Sequence, residues 1–129
     1  MDIDEISSAV IGEAIRIHRE LGPGLLESVY EKVLQASLVR NGLKVQYQVP
    51  IAIRYDGMAI EAAFRIDLLV EDRLVVEIKA VDMLTKLHAR QVLTYLRLME
   101  QPVGLLLNFS AMTMKEGIRR LVNDYRPGK

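Results

Sequence analysis

Two neighbouring apolar stretches, each carrying charge on one side, constrain this chain more than any other feature. Phe64-Arg65-Ile66-Asp67-Leu68-Leu69-Val70 and Leu74-Val75-Val76-Glu77-Ile78-Lys79-Ala80 are rich in β-branched and aliphatic residues and read as strands. Glu71-Asp72-Arg73 between them reads as the turn. If Val70 pairs with Leu74, then Leu68 lies opposite Val76 and Asp67 lies opposite Glu77. A strict two-residue turn would instead pair Val70 with Arg73 and send the two carboxylates to opposite faces. The hydrophobic pattern favours the first register, because it stacks Ile66, Leu68, Val70, Leu74, Val76 and Ile78 on one side. Glu77 and Lys79 are two apart, so they share a strand face.

Directly opposed residues have Cβ atoms roughly 5 Å apart, close enough for both carboxylates to hold one cation. Two acids so placed repel unless a cation or a proton lies between them. A hard divalent ion of the Mg²⁺ type often binds through one or two carboxylates, with water and phosphate oxygens completing the shell. Lys79 can stabilise developing negative charge or help position an attacking water. These parts suit metal-assisted hydrolysis of a phosphodiester. The plainer alternative is a cross-strand salt-bridge cluster on a solvated sheet face, since E-x-K is a common tripeptide.

The totals bound the answer. A chain of 129 residues, half of them hydrophobic, suffices for one domain with a real core, and residues 1–129 read as a single domain. Formal net charge is zero, so any contact with nucleic acid must come from a local patch. There is no cysteine, which excludes disulfides and thiolate metal sites. Neither a secretory signal nor a membrane-spanning run is present, and the expectation is a cytoplasmic protein without a membrane partner.

Ile3, Ile6, Val10, Ala14, Ile17 and Leu21 recur at helical steps and predict an amphipathic first helix ending at Gly22-Pro23-Gly24. A second helix is expected from about Leu25 to Asn41, stopped by Gly42. From Lys44 to Ile53 the pattern alternates, with Val45, Tyr47, Val49, Ile51 and Ile53 on one strand face. Tyr55-Asp56-Gly57 is a hairpin turn, and the second strand, Met58 to Val70, is long enough to bend or bulge. A third strand runs from Arg73 to Ala80, and a third helix from Leu84 to about Glu100. Val103-Gly104-Leu105-Leu106-Leu107 reads as a buried strand, and a last helix is expected from Met114 to Tyr125. Arg126-Pro127-Gly128-Lys129 reads as a frayed end. The order ααβββαβα implies a mixed four-stranded sheet flanked by helices, an α/β (α+β) fold.

Other residues are drawn to the site by position. Glu27 opens the second helix; it is either a first-turn acid complementing the helix dipole or a third carboxylate. Tyr30, one turn later, faces the core with its hydroxyl aimed at a polar group. His88, Gln91 and Tyr95 share a face of the third helix, where Gln91 either orients a water, ligand or Lys79, or is simply solvated. Lys86, Arg90 and Arg97 make a basic edge on that helix, suited to phosphate contact or to solubility alone.

Asp67 followed by Glu77-Ile78-Lys79 resembles the PD-(D/E)XK nuclease superfamily, whose restriction-endonuclease-like core matches the element order with one added N-terminal helix. Gly24-Leu25-Leu26-Glu27-Ser28-Val29-Tyr30 matches the G-x-x-E-x-x-Y signature of a small family within it. His88-x-x-Gln91-x-x-x-Tyr95-Leu96 and Val103-Gly104-Leu105-Leu106-Leu107-Asn108-Phe109 extend the match over essentially the whole chain. The resemblance implies Asp67, Glu77 and the Ile78 carbonyl as ligands of Mg²⁺ or Mn²⁺. It implies Lys79, Glu27 and Gln91 as catalytic residues. Lys86, Arg90, Arg97 and Tyr95 are the expected nucleic-acid contacts. Ile66 stands where the name-giving proline often does.

The leading expectation is thus a metal-dependent nuclease acting on DNA, with a homodimer as one way to join two sites. The alternatives are a catalytically silent nucleic-acid-binding or complex-forming module, and a hydrolase of another phosphoester. The last lacks a nucleotide-binding loop, because Gly22-Pro23-Gly24 has no following Lys-Ser/Thr.

Overall fold

The computed structural model describes residues 1–124. Tyr125, the expected end of the last helix, and the expected frayed end Arg126-Pro127-Gly128-Lys129 lie outside the described residues. The elements are α1 (Ile3–Leu21), α2 (Glu27–Arg40), β1 (Val45–Tyr55), β2 (Met58–Val70), β3 (Leu74–Lys79), α3 (Lys86–Met99), β4 (Val103–Asn108), α4 (Met114–Gly117) and β5 (Ile118–Val122). Among the described residues, no helix is long and apolar enough to cross a membrane.

α1 starts at a capping box in which the Asp2 carboxylate accepts from Glu5 N–H at 2.8 Å. Its apolar stripe buries Ile3, Ile6, Val10, Ala14 and Ile17, while Leu21 at the end of the stripe is exposed. α3 is capped by Thr85, and His88 closes the cap by accepting from Thr85 N–H through Nδ1. The strands form one sheet in the order β1-β2-β3-β4-β5, antiparallel throughout except for the parallel β3–β4 pair that α3 connects. α1 and α2 cover one face with Tyr30, Leu34, Leu38, Leu68, Val76 and Phe109 at the core. α3 covers the other, packing Val92 and Leu96 on Ile66, Val75 and Leu106.

The β2–β3 register is the expected one: Val70 pairs with Leu74 and Leu68 with Val76. Glu71 and Asp72 both take positive φ in the turn, and Arg73 N–H donates to Val70 C=O at 3.1 Å. The bulge expected in β2 falls at Ala62 (φ 51), where the register against β1 shifts between Ile51 and Ile53.

Three expectations are corrected. First, Ile66 does not stack with Leu68 and Val70; it packs on the α3 side while they pack on the α1/α2 side. Second, β1 makes the same exchange, with Val45 and Tyr47 on one side and Val49 and Ile51 on the other. The cause lies between them: Gln48 takes a left-handed φ of 50, which turns the strand over. Third, the last helix is a single turn, and Ile118–Val122 continues as a fifth strand against β4. The four- and three-residue steps of Met114, Ile118 and Leu121 suit a helix, yet in the strand Ile118 and Leu121 face opposite cores. The outer edge of β4 needs backbone partners, which a strand supplies and a helix does not. Gly117 permits the close approach, since a Cβ there would lie 2.3 Å from the Asn108 carbonyl oxygen.

Candidate active site

The N-terminus of α2 is fixed by the preceding glycine turn. Gly24, at φ 108, adopts a conformation that a side chain would oppose. The Tyr30 hydroxyl donates to Gly22 C=O at 2.5 Å and accepts from Leu25 N–H at 3.2 Å, while its ring stacks on Phe109 at 4.5 Å. Tyr30 is therefore the core-facing, hydrogen-bonded residue the sequence implies. The clasp sets Glu27 over the end of β3, where its Oε1 accepts from Ala80 N–H at 3.1 Å. Glu27 is held by the sheet rather than left to a solvated first turn.

Where the β2–β3 ladder stops, after Leu68 and Val76, the next two residues replace ladder bonds with side-chain bonds. Asp67 N–H donates to Glu77 Oε2 at 3.1 Å, and Ile78 N–H donates to Asp67 Oδ2 at 2.8 Å. Each acid is thus held by the other strand's backbone. Lys79 C=O accepts from Phe109 N–H on the β4 side. By strand alternation the Ile78 peptide groups turn the opposite way, toward Asp67. Burial above all, and the adjoining Asp67 carboxyl next, push the buried Glu77 carboxyl far above the ordinary carboxylate range. The Lys79 charge pulls it back down. Two carboxyls this close share a proton or need a cation.

A third acid joins them that sequence reasoning missed. Glu31 is 6% exposed, and burial, with the Asp67 charge second, raises its carboxyl to about 7. It lies one turn after Glu27, whose charge also raises it. The signal was the four-residue step from Glu27 next to core-facing Tyr30, which puts both acids on one helix face. Gln48, also missed, donates from Nε2 to Glu31 Oε1 at 2.5 Å and to Asp67 Oδ1 at 3.4 Å.

Tyr95 of α3 closes the opposite side. It stacks on Phe64 at 4.2 Å and 6°. Its hydroxyl is raised by burial first and then by the charges of Glu77 and Asp67, while a hydrogen bond from Gln91 lowers it. Gln91 therefore acts on Tyr95, whose hydroxyl feels the charges of the two acids. The basic residues lie elsewhere on the helix. Lys86 borders Arg119 of β5, and Arg97 borders Asn123 and Asp124. At about 100° per residue, Lys86, Arg90 and Arg97 line a stripe roughly half a turn away from Gln91 and Tyr95. The structure does not bring them to the acids.

The donor set tests which ion could fit. Among the described residues, no three His, Cys, Asp or Glu side chains converge as the ligands of one ion. A caged ion of the Zn²⁺ type is therefore not suited. Oxygen atoms of Asp67 and Glu77, with the Ile78 carbonyl beside them, suit a hard divalent cation that keeps water and substrate oxygens in its shell.

Comparison with known proteins agrees with this fold. The solved structure of the protein named SSO0001 is similar in fold, with a TM-score of 0.55 and 18% identity, over 78% of this chain. The chain spans about half of that protein, 52% of its length. No curated protein matches significantly in sequence. A family model for the PD-(D/E)XK nuclease superfamily matches residues 4–121, nearly the whole chain, including Glu27, Glu31, Asp67 and Glu77. By that match the chain belongs to the PD-(D/E)XK nuclease superfamily.

Proposed function

We propose that this chain is a divalent-metal-dependent nuclease that hydrolyses phosphodiester bonds in DNA, using Mg²⁺ or Mn²⁺. The observation that carries the reading is the reciprocal bonding of Asp67 and Glu77, each to the other's strand, where the ladder opens beside Lys79. Such a pair is preorganised and electrostatically incomplete, as a ligand pair awaiting a cation must be. Asp67, Glu77 and the Ile78 carbonyl hold the ion, which when bound supplies Lewis-acid polarisation of the phosphate and an acidified water. The Lys79 ammonium stabilises charge growing on the phosphate oxygens. Glu27 holds the end of β3 through Ala80, and Gln91 orients Tyr95. Tyr95 borders the bound strand, and Lys86, Arg90 and Arg97 contact phosphates away from the one that is cut.

The G-x-x-E-x-x-Y block from Gly24 to Tyr30 supports membership of the family of that name, and its clasp on Glu27 gives the signature a physical role. We assign residues 1–129 to one domain acting in the cytoplasm. A homodimer fits the outer β1–β2 hairpin, where alternation puts Ile53, Tyr55, Met58 and Ile60 on one face, three of them well exposed. Arg54 and Arg65 there match Asp56 and Glu61 in number, so two copies meet without net repulsion. Zero net charge on the chain favours a second reading, a silent nucleic-acid-binding or complex-forming module that keeps the fold.

The test is incubation with duplex, single-stranded and branched DNA, and with RNA, in Mg²⁺ or in EDTA. Cleavage of DNA that needs the metal and disappears in Lys79→Met and Asp67→Asn is expected. Salt-sensitive binding of the same substrates without any cleavage would select the silent module instead.

A further inference from the structure

The kink in β1 is where a strand sacrifices regular geometry next to the acids. Positive φ at Asp56, Glu71 and Asp72 belongs to hairpin turns. Gln48 differs from these and from Ala62 at the β2 bulge: it lies inside β1 where the register does not shift, has a Cβ, and still takes φ 50. Strain of that kind persists only where surrounding contacts hold it. Here the contacts are its two carboxylate partners, Glu31 on α2 and Asp67 on β2. The same kink moves β1 from packing on the α1/α2 side at Tyr47 to the α3 side at Val49. The strand thus turns over at the one point where its side chain must reach between a helix and the neighbouring strand.

We propose that Gln48 is a positioning residue: its carboxamide, aimed by the left-handed kink, holds Glu31 against Asp67 and so sets the arrangement of the acid that faces the cation. A carboxamide suits the task. It donates to both carboxylates but carries no charge, so it does not compete with a cation as a lysine or arginine would. Asp67 is held on its other oxygen by Ile78 N–H, so Gln48 fixes the second degree of freedom. The consequence for cation binding rests on the nuclease reading; the arrangement of the carboxylates does not.

Gln48→Gly removes the carboxamide and relaxes the backbone, and Gln48→Leu keeps the bulk without the donor. Crystal structures of both are compared with that of the wild type, and Mn²⁺ affinity is measured by calorimetry. In each variant the Glu31 and Asp67 carboxylates are expected to part, and Mn²⁺ affinity to fall roughly ten- to a hundred-fold, as for partners of metal ligands generally. In a Glu31→Ala background the further loss caused by Gln48→Gly is expected to shrink to the part carried by its direct bond to Asp67, because the rest acts through Glu31. Carboxylates that stay in place overturn the proposal, as does a Gln48 effect undiminished by Glu31→Ala. Should the glycine variant not fold, the leucine variant is read by the same criteria. A wild type that binds no Mn²⁺ refutes the cation reading alone, and the crystal structures still decide the role of Gln48.

Discussion

Replacing Glu31 by glutamine isolates one proton whose binding the fold controls. Burial and the Asp67 charge move this carboxyl from 4.5 to about 7. The folded protein therefore binds the proton more tightly than the unfolded chain does. Stability from this group is complete below pH 4.5 and is lost as pH rises through about 7. The ceiling on the effect is about 3 kcal/mol, at about 1.4 kcal/mol for each pH unit of displacement. Asp67 beside it is half-buried, so water screens part of the interaction and about 1–2 kcal/mol is expected. Urea unfolding in EDTA, from about pH 4 to about pH 9, measures it. Wild type minus Glu31→Gln should fall by that amount across the interval and level off above it. Glu77, raised further, is common to both proteins and drops out of the difference. A flat difference curve, or one rising with pH, would refute the account of Glu31 as a buried acid beside the Asp67 charge.

Other substitutions test the frame of the site. Asp67→Ala leaves the Ile78 N–H without its acceptor and should lower stability by about 1–3 kcal/mol, whereas Asp67→Asn keeps an acceptor oxygen and should lower it by under about 1 kcal/mol, both read by urea unfolding. Tyr30→Phe removes two hydrogen bonds from the turn before α2 and should lower stability by about 1–2 kcal/mol, with faster hydrogen exchange at Leu25 N–H. Gly117→Ala drives a methyl group into the Asn108 carbonyl and should destabilise by about 3 kcal/mol or more, seen as a lowered melting temperature.

Much of this site was legible because strands report their faces. The alternation around Asp67 and Glu77-Ile78-Lys79, with one turn between, leaves one register that buries the apolar residues, and that register is the one formed. Tyr30 was legible for a similar reason, as an aromatic with a polar tip on a core-facing helix position. Glu31 was not, because an acid one turn after another acid normally reads as surface, and only the packing of α2 on the sheet buries it. Gln48 left no trace at all: nothing in Gln46-Tyr47-Gln48-Val49 signals a left-handed residue, and the exchange of core sides at Val49 follows from it. Segment 114–122 carried the four- and three-residue apolar steps of a helix, and the need to pair the outer edge of β4 overrode them.

Calorimetric titration of Mn²⁺ into the wild type, Asp67→Asn and Glu77→Gln, with DNA cleavage followed on the same samples, tests the central claim most directly. The account predicts binding and cleavage by the wild type, and loss of both in each variant while all three proteins stay folded. A folded wild type that neither binds the ion nor cuts DNA, or variants that retain both, would contradict it.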